Sequence, residues 1–134
     1  KLENELLSKA TNKSYLHFLP FQNQSIMPVV YRLGDVFCLP SQGPGETWGL
    51  AVNEAFACSR PAIVSDKVGC YSNLIVEDKT GFTFKHDDIT DLIQVLVNTN
   101  KKNLRSFANN AHEHIQQFSI SRIVTNIENS IKTS

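Results

Sequence analysis

The chain has 134 residues, of which 41% are hydrophobic and 19% charged, the composition of one soluble globular domain and not of a disordered or fibrous protein. Thirteen basic residues balance thirteen acidic ones, and no basic cluster is denser than Lys101 and Lys102, so the charge pattern of a nucleic-acid binder is missing. Because no apolar run approaches the ~20 residues of a membrane span, any membrane contact would be peripheral.

The first residues and the cysteines indicate a cellular compartment. Residues 2 to about 11 have the pattern of an amphipathic helix with acidic residues inside it, unlike a signal peptide. Cys38, Cys58 and Cys70 are odd in number and have no C-x-x-C spacing, and two of them lie in apolar runs. We therefore expect reduced cysteines without a disulfide and a cytoplasmic location, at most peripheral to the inner face of a membrane.

After the first helix, apolar runs alternate with turn residues along the chain. The pattern predicts strands over residues 15–19, 36–39, 62–64 and 81–84, and helices over 25–33, 48–58, 89–97, 104–118 and 121–131. Strands that alternate with helices form a parallel sheet. The predicted fold class is therefore α/β, a Rossmann-like parallel sheet flanked by helices.

The loop over residues 40–46 follows a strand directly and opens a helix. Ligands of open parallel sheets bind at the carboxyl ends of the strands, and the first backbone N–H groups of a helix attract anions. The sequence therefore predicts an anion site at the backbone of Thr47, Trp48, Gly49 and Leu50, where Gly49 allows a phosphate to approach closely.

Two carboxylates, Glu46 and Glu54, lie in this otherwise apolar stretch. Burying an ionised carboxylate costs several kcal/mol unless charge or hydrogen bonds compensate, so we interpret Glu54, about two turns inside the predicted helix, as an acceptor for sugar hydroxyls. The competing interpretations are a helix-dipole or capping role for Glu46 and a salt-bridged surface position for Glu54.

A paired-carboxylate hydrolase and a metal site are weaker alternatives. Eight helical steps would separate Glu46 from Glu54 by ~12 Å, beyond the roughly 5–9.5 Å between the carboxylates of glycosidases. His112 and His114 lie on different faces of a helix, and His17 and His86 are isolated in the sequence. We therefore predict neither hydrolysis nor a metal.

Several spaced motifs resemble one enzyme family. They are Pro40-Ser41, Glu-x(7)-Glu from Glu46 to Glu54, Ala57-Cys58, Pro61, Ser65-Asp66, Gly69 and Thr80-Gly81-Phe82. Together they resemble the donor-binding C-terminal domain of family 4 (group 1) glycosyltransferases, retaining enzymes of the GT-B fold, over residues 15–97. Asn73 and Ser59 depart from the family, which commonly has an acidic residue and a glycine at these positions.

The resemblance implies a reaction and a set of site residues. A sugar would pass from a nucleoside-diphosphate sugar to an acceptor hydroxyl with retention, in polysaccharide or glycoconjugate synthesis and without a cofactor. Glu46 would contact the donor sugar and act in catalysis, and Glu54 would contact the ribose of the nucleotide. The base is expected near Pro20 and Phe21, at the end of the first predicted strand.

The resemblance also implies missing parts. The acceptor-binding N-terminal domain, two strands, and the Arg and Lys that the family uses on the diphosphate would precede Lys1, so we expect a truncated donor domain that is inactive alone. In the strand order 3-2-1-4-5-6, residues 15–19 would be the third strand and 36–39 the fourth. The gap between them predicts self-association or a different pairing of residues 15–19.

Two other functions are compatible with the same predicted fold. A non-catalytic module that binds a nucleotide or a sugar phosphate would need the same anion site but no acceptor domain. A receiver-like signalling domain is disfavoured because no acidic pair closes the strand over residues 36–39.

Overall fold

The computed structural model describes residues 2–10 and 13–132, and three short parallel strands form its sheet. The strands are β1 (Phe37–Leu39), β2 (Ala62–Ser65) and β3 (Gly81–Phe84), in the order β1-β2-β3. In this register Phe37 pairs with Ala62, which in turn pairs with Gly81. Because the strands are parallel and consecutive, all three carboxyl ends lie at the same edge of the sheet.

Helices fill the connections between the strands and form the C-terminal third of the chain. They are α1 (Leu2–Lys9), α2 (Met27–Leu33), α3 (Leu50–Ala57), α4 (Tyr71–Leu74), α5 (Ile89–Asn98), α6 (Lys101–Ile115) and α7 (Ile120–Lys132), with short 3-10 turns at Lys13–Tyr15 and Gln116–Phe118. This arrangement confirms the predicted α/β fold with a parallel sheet flanked by helices.

The hydrophobic core lies between the central strand and two helices. Every residue of β2 is buried, as expected of a parallel strand covered on both faces. Apolar side chains from α3, β2 and α6 form one cluster, whose members include Val52, Phe56, Ala62, Val64, Ala111 and Ile115. Because the loop after β1 leads into α3 and a second loop follows β2, this core fixes the edge of the sheet at which a ligand would bind.

The strand predicted over residues 15–19 is wrong. Lys13–Tyr15 forms a 3-10 turn, and residues 16–19 have no regular secondary structure. Tyr15 is 80% exposed and Leu19 54% exposed. A strand requires a neighbour for its backbone hydrogen bonds, and β1 pairs with β2 alone among the described residues. The predicted pairing of this segment, in a family position or in another one, is therefore absent, whereas the order β1-β2-β3 agrees with that expected for the fourth to sixth strands.

Several helix boundaries differ from the prediction, and α6 runs over Lys101–Ile115 and not over 104–118. Helix α3 begins at Leu50 and not at Trp48, because Gly49 adopts a left-handed conformation that a helix cannot include. Helix α4 was not predicted, since four residues are too few to show a helical period. Helix α1 ends at Lys9, and Thr11, the predicted end, lies outside the described residues.

Asp88 is the N-cap of α5. The Asp88 side chain accepts hydrogen bonds from the backbone N–H groups of Thr90 and Asp91 at 2.9 and 3.1 Å. These are the contacts of an N-cap carboxylate, which satisfies donors that the first turn of a helix leaves unpaired.

No helix within residues 2–10 and 13–132 has both the length and the apolar character needed to cross a membrane.

Candidate functional site

The loop between β1 and α3 lies at the carboxyl edge of the sheet. Its last residue, Gly49, is the N-cap of α3 with φ +91°, and no side chain caps the helix. None of the backbone N–H groups of residues 47–51 donates to an acceptor in the described part of the chain. These donors, together with the helix dipole, can bind an anion.

Gly49 is required for two independent reasons. Its positive φ is unfavourable for residues with a side chain, and an added Cβ would lie 2.5 Å from Val68 Cγ1. Any larger residue would therefore displace Val68 or the start of α3.

A second loop, which follows β2, holds this first loop in place. A Cβ added at Gly69 would lie 1.8 Å from the carbonyl oxygen of Thr47, so the two backbones touch directly. The N–H of Cys70 donates to the carbonyl oxygen of Trp48 at 2.8 Å. The predicted anion-binding residues are thus fixed from both neighbouring strands.

The Trp48 side chain is also anchored. Its Nε1–H donates to Asn53 Oδ1 at 2.9 Å, which ties the loop to the first turn of α3. The indole is half-buried and packs against the hydrophobic core. Asn53 was not predicted, because its position in a short apolar helix gives no signal of a contact with the preceding loop.

Glu54 lies one turn inside α3, not two, because the helix begins at Leu50. It is half-buried and faces α2, where Tyr31 Oη donates to its Oε2 at 2.7 Å and Gln24 Nε2 lies 3.5 Å from its Oε1. No basic side chain in the described ranges forms an ion pair with it. The salt-bridged interpretation therefore does not apply, and hydrogen-bond donors compensate the carboxylate instead.

Glu46 lies in the loop before α3 and is half-buried. It does not cap the helix, because Gly49 occupies the N-cap and no side chain donates or accepts there. Because Glu46 lies before α3, the two carboxylates are not separated by eight helical steps. The expected separation of ~12 Å assumed a continuous helix between them, and this assumption is wrong. Burial raises the pKa of the Cys70 thiol to about 11, and the nearby charge of Glu46 contributes.

Pro20 and Phe21 are exposed, Phe21 by 95%, and Gln22 Nε2 donates to the carbonyl oxygen of Pro20 at 3.0 Å. The same segment approaches the site through Gln24, whose amide lies beside Glu54. Residues 20–24 and α2 therefore form one side of the site, and the loop of residues 46–49 with α3 forms the other.

The sequence suggested that His86 is isolated, but in the structure it contacts Asp66. Its ring Nδ1 lies 2.8 Å from Asp66 Oδ1, and its backbone N–H donates to the same oxygen at 3.0 Å. This pair joins the loops that follow β2 and β3. The hydrogen bond from the backbone N–H of His86, with its side chain, holds the pKa of the Asp66 carboxyl below its usual range. Within the described ranges no group of three potential ligands could hold a metal ion.

Comparison with known proteins identifies the family. The family model described as "Glycosyl transferases group 1" matches residues 1–114. The chain belongs to the group 1 glycosyltransferases. One curated relative, D-inositol 3-phosphate glycosyltransferase from Mycobacteroides abscessus, is 32% identical over 105 residues, which cover 76% of this chain and 22% of the relative. The resemblance predicted from the spaced motifs is confirmed.

Solved structures of GT-B glycosyltransferases share the fold of this family member. Sucrose-phosphate synthase from Thermosynechococcus elongatus superposes with a TM-score of 0.79 at 21% identity, over 98% of this chain and 33% of that one. The Anabaena protein HepE in complex with UDP gives a TM-score of 0.80 at 20% identity, over 99% and 36% of the two chains. The chain thus spans about a third or less of the length of these relatives.

A substitution at Gly49 tests the arrangement of the two loops. We expect Gly49→Ala to lower the free energy of unfolding by about 1–3 kcal/mol, because it adds a strained φ and a clash with Val68. The matched control is Gly45→Ala in the same loop, where an added Cβ meets nothing within 4 Å. Urea unfolding measures both, and equal stabilities of the two variants would contradict the proposed packing.

The Asp66–His86 pair predicts a pH dependence of stability. Because the pKa of Asp66 is lower in the folded chain than in the unfolded one, this carboxylate stabilises the fold above about pH 4 and loses that contribution as the pH falls. Asp66→Asn should therefore flatten the fall of the urea midpoint between about pH 6 and pH 3. Asp78→Asn, which removes the same charge from an exposed position, is the control, and equal slopes in both variants would refute the role of the pair.

Proposed function

We propose that this chain is the donor-binding domain of an enzyme that transfers a sugar from a nucleoside-diphosphate sugar to an acceptor hydroxyl, with retention at the anomeric carbon. The observation that carries the proposal is the set of unpaired backbone N–H groups at residues 47–51, which lies at the carboxyl edge of the sheet between Glu46 and Glu54. An anion with a sugar on each side fits this arrangement of donors and acceptors.

The diphosphate would lie at the start of α3. Thr47, Trp48, Gly49 and Leu50 would donate from their backbone N–H groups, and the left-handed Gly49 leaves no side chain in the way. Negative charge develops on the nucleoside diphosphate as it leaves, and donors fixed before the reaction stabilise that charge without reorganising. The two loops that clamp each other through Gly69 supply this rigidity.

The two carboxylates would hold the sugars on either side of the diphosphate. Glu54 would accept the hydroxyls of the ribose, since Gln24, the neutral donor beside its Oε1, is a partner that such hydroxyls can replace. Glu46 would contact the donor sugar and act in catalysis. Pro20 and Phe21 would lie near the base, on the side of the site that Gln24 joins to Glu54.

The relatives support a nucleotide-sugar donor. The Anabaena protein is known in complex with UDP and with UDP-glucose, and the mycobacterial relative is named for transfer to an inositol phosphate. For this chain we propose the same class of donor, no cofactor, and an acceptor held by a further, N-terminal domain, in polysaccharide or glycoconjugate synthesis in the cytoplasm, with peripheral membrane contact at most.

Self-association of the chain remains a prediction, and the exposed apolar face of α7 supports it. Its members are Ile120, Ile123, Val124, Ile127 and Ile131, which are 47–82% exposed and follow a helical period.

A non-catalytic nucleotide-binding module is the second candidate. It requires only the unpaired backbone N–H groups of residues 47–51 as an anion site. Sugar transfer by an enzyme that carries this chain together with an acceptor domain distinguishes the two candidates, because the module would bind nucleotide without any turnover.

Glu54→Gln tests the assignment of the ribose. The variant should weaken binding of a nucleoside diphosphate by about 1–3 kcal/mol, since a hydrogen bond to a charged acceptor is lost. Calorimetry with UDP, GDP and ADP measures the affinity, and Glu113→Gln on the exposed face of α6 is the matched control. An unchanged affinity would remove Glu54 from the site.

Glu46→Gln should separate turnover from nucleotide binding. In an enzyme that carries this chain with its acceptor domain, turnover should fall by at least about tenfold, the effect of 1.4 kcal/mol on the barrier. The affinity for free nucleoside diphosphate should stay near that of the wild type, because Glu46 is assigned to the donor sugar alone. Normal turnover of the variant would overturn this role.

A further inference from the structure

Tyr31 and Glu54 join two helices that are distant in the sequence. Tyr31 on α2 donates its Oη–H to Glu54 Oε2 on α3 at 2.7 Å, across 23 residues of chain. Burial raises the pKa of the Tyr31 phenol far above its ordinary value near 10, and the hydrogen bond to Glu54 adds to the rise. The phenol is therefore protonated at neutral pH, and the carboxylate is the acceptor.

The Tyr31 ring is itself held by the sheet. It packs edge-on against Phe37 of β1, with ring centroids 5.4 Å apart and an angle of 72° between the planes. Phe37 in turn packs against the hydrophobic core. The position of the Tyr31 hydroxyl thus depends on β1 as well as on α2, which makes it a fixed point beside a flexible glutamate side chain.

The two oxygens of Glu54 have unequal partners. Oε2 accepts the short hydrogen bond from Tyr31, whereas Gln24 Nε2 lies 3.5 Å from Oε1, at the outer limit for a hydrogen bond. Gln24 is exposed, so water or a ligand can replace it at little cost. A cavity of about 150 Å³ opens beside the pair and is lined by Met27, Pro28 and Ala57 as well.

We propose that Tyr31 is a positioning residue for the ribose-binding carboxylate. It holds Oε2 of Glu54, so that Oε1 faces the two adjacent hydroxyls of the nucleotide's ribose when Gln24 moves aside. This inference rests on the proposed function of Glu54, but it adds a residue outside the spaced motifs of the chain. It also divides the carboxylate into one oxygen for the protein and one for the ligand.

The physical benefit of the contact is preorganisation. A glutamate side chain on a helix has several rotatable bonds, and a ligand that orders them loses part of its binding free energy. A hydrogen bond from a fixed phenol orders the carboxylate before the nucleotide arrives. The effect should be visible in discrimination between ribose and deoxyribose, because only the hydroxyl contacts depend on the orientation of Oε1.

Calorimetry of the 134-residue chain with UDP and 2′-deoxy-UDP tests the proposal. GDP or ADP and their 2′-deoxy forms replace this pair if they bind more tightly. The wild type should prefer the ribonucleotide by about tenfold or more, the effect of a hydrogen bond to a charged group. Tyr31→Phe should weaken UDP binding by about threefold to tenfold, with little change for 2′-deoxy-UDP. Tyr15→Phe, at an exposed tyrosine, is the matched control.

The double variant Glu54→Gln/Tyr31→Phe distinguishes the role of Glu54 from that of Tyr31. Tyr31→Phe should add no further loss when Glu54→Gln is already present, because the phenol acts through this carboxylate. A ribose preference that survives Glu54→Gln, or a wild type that binds none of the three nucleotides, would refute the assignment of Glu54 and this inference with it. A preference that Glu54→Gln removes but Tyr31→Phe leaves intact would refute the role of Tyr31 alone. Equal losses for UDP and 2′-deoxy-UDP in Tyr31→Phe would do the same, since they indicate a general structural effect.

Discussion

The contact between two loop backbones, at Gly69 and Thr47, is the constraint on which the rest of the site depends. No side chain fits between them, and the hydrogen bond from Cys70 N–H to Trp48 O locks the same pair of loops. The first loop follows β1 and the second follows β2. Their contact therefore fixes the start of α3 relative to these two strands. The backbone donors of residues 47–51 are consequently placed by the sheet and not by their own flexible loop.

The two halves of the site differ in how they are held. On one side, the loop before α3 is held by the backbone contact between Gly69 and Thr47, and Gly49 packs closely against the Val68 side chain. On the other side, α2 approaches through side chains such as Tyr31, whose ring packs against Phe37 of β1. Such an asymmetry suits a ligand whose diphosphate needs fixed donors and whose nucleoside needs a surface that can move slightly during entry and release.

The sequence predicted the features that depend on neighbouring residues. The three strands were located because each is a short apolar run bounded by proline or glycine, and the loop of residues 46–50 was recognised because its donors are contiguous. The strand over residues 15–19 was predicted wrongly for the same reason, since an apolar run shows nothing of whether a partner strand exists. Tyr31, Gln24 and Val68 were missed because their contacts with Glu54 and Gly49 join residues that are 19 to 30 positions apart.

The hydrogen-bond partners that compensate the charge of Glu54 affect which ligands the site can bind. A carboxylate paired with an arginine or a lysine has its charge satisfied, and a neutral ligand gains little by approaching it. Here the partners are a phenol and an amide, which share the carboxylate without neutralising it. The charge stays available to strengthen hydrogen bonds from neutral hydroxyl donors, while it repels a phosphate from the same position. In the proposed complex the carboxylate would therefore keep the diphosphate at the start of α3, one helical turn away, and this separation would give the nucleotide a single orientation along the site.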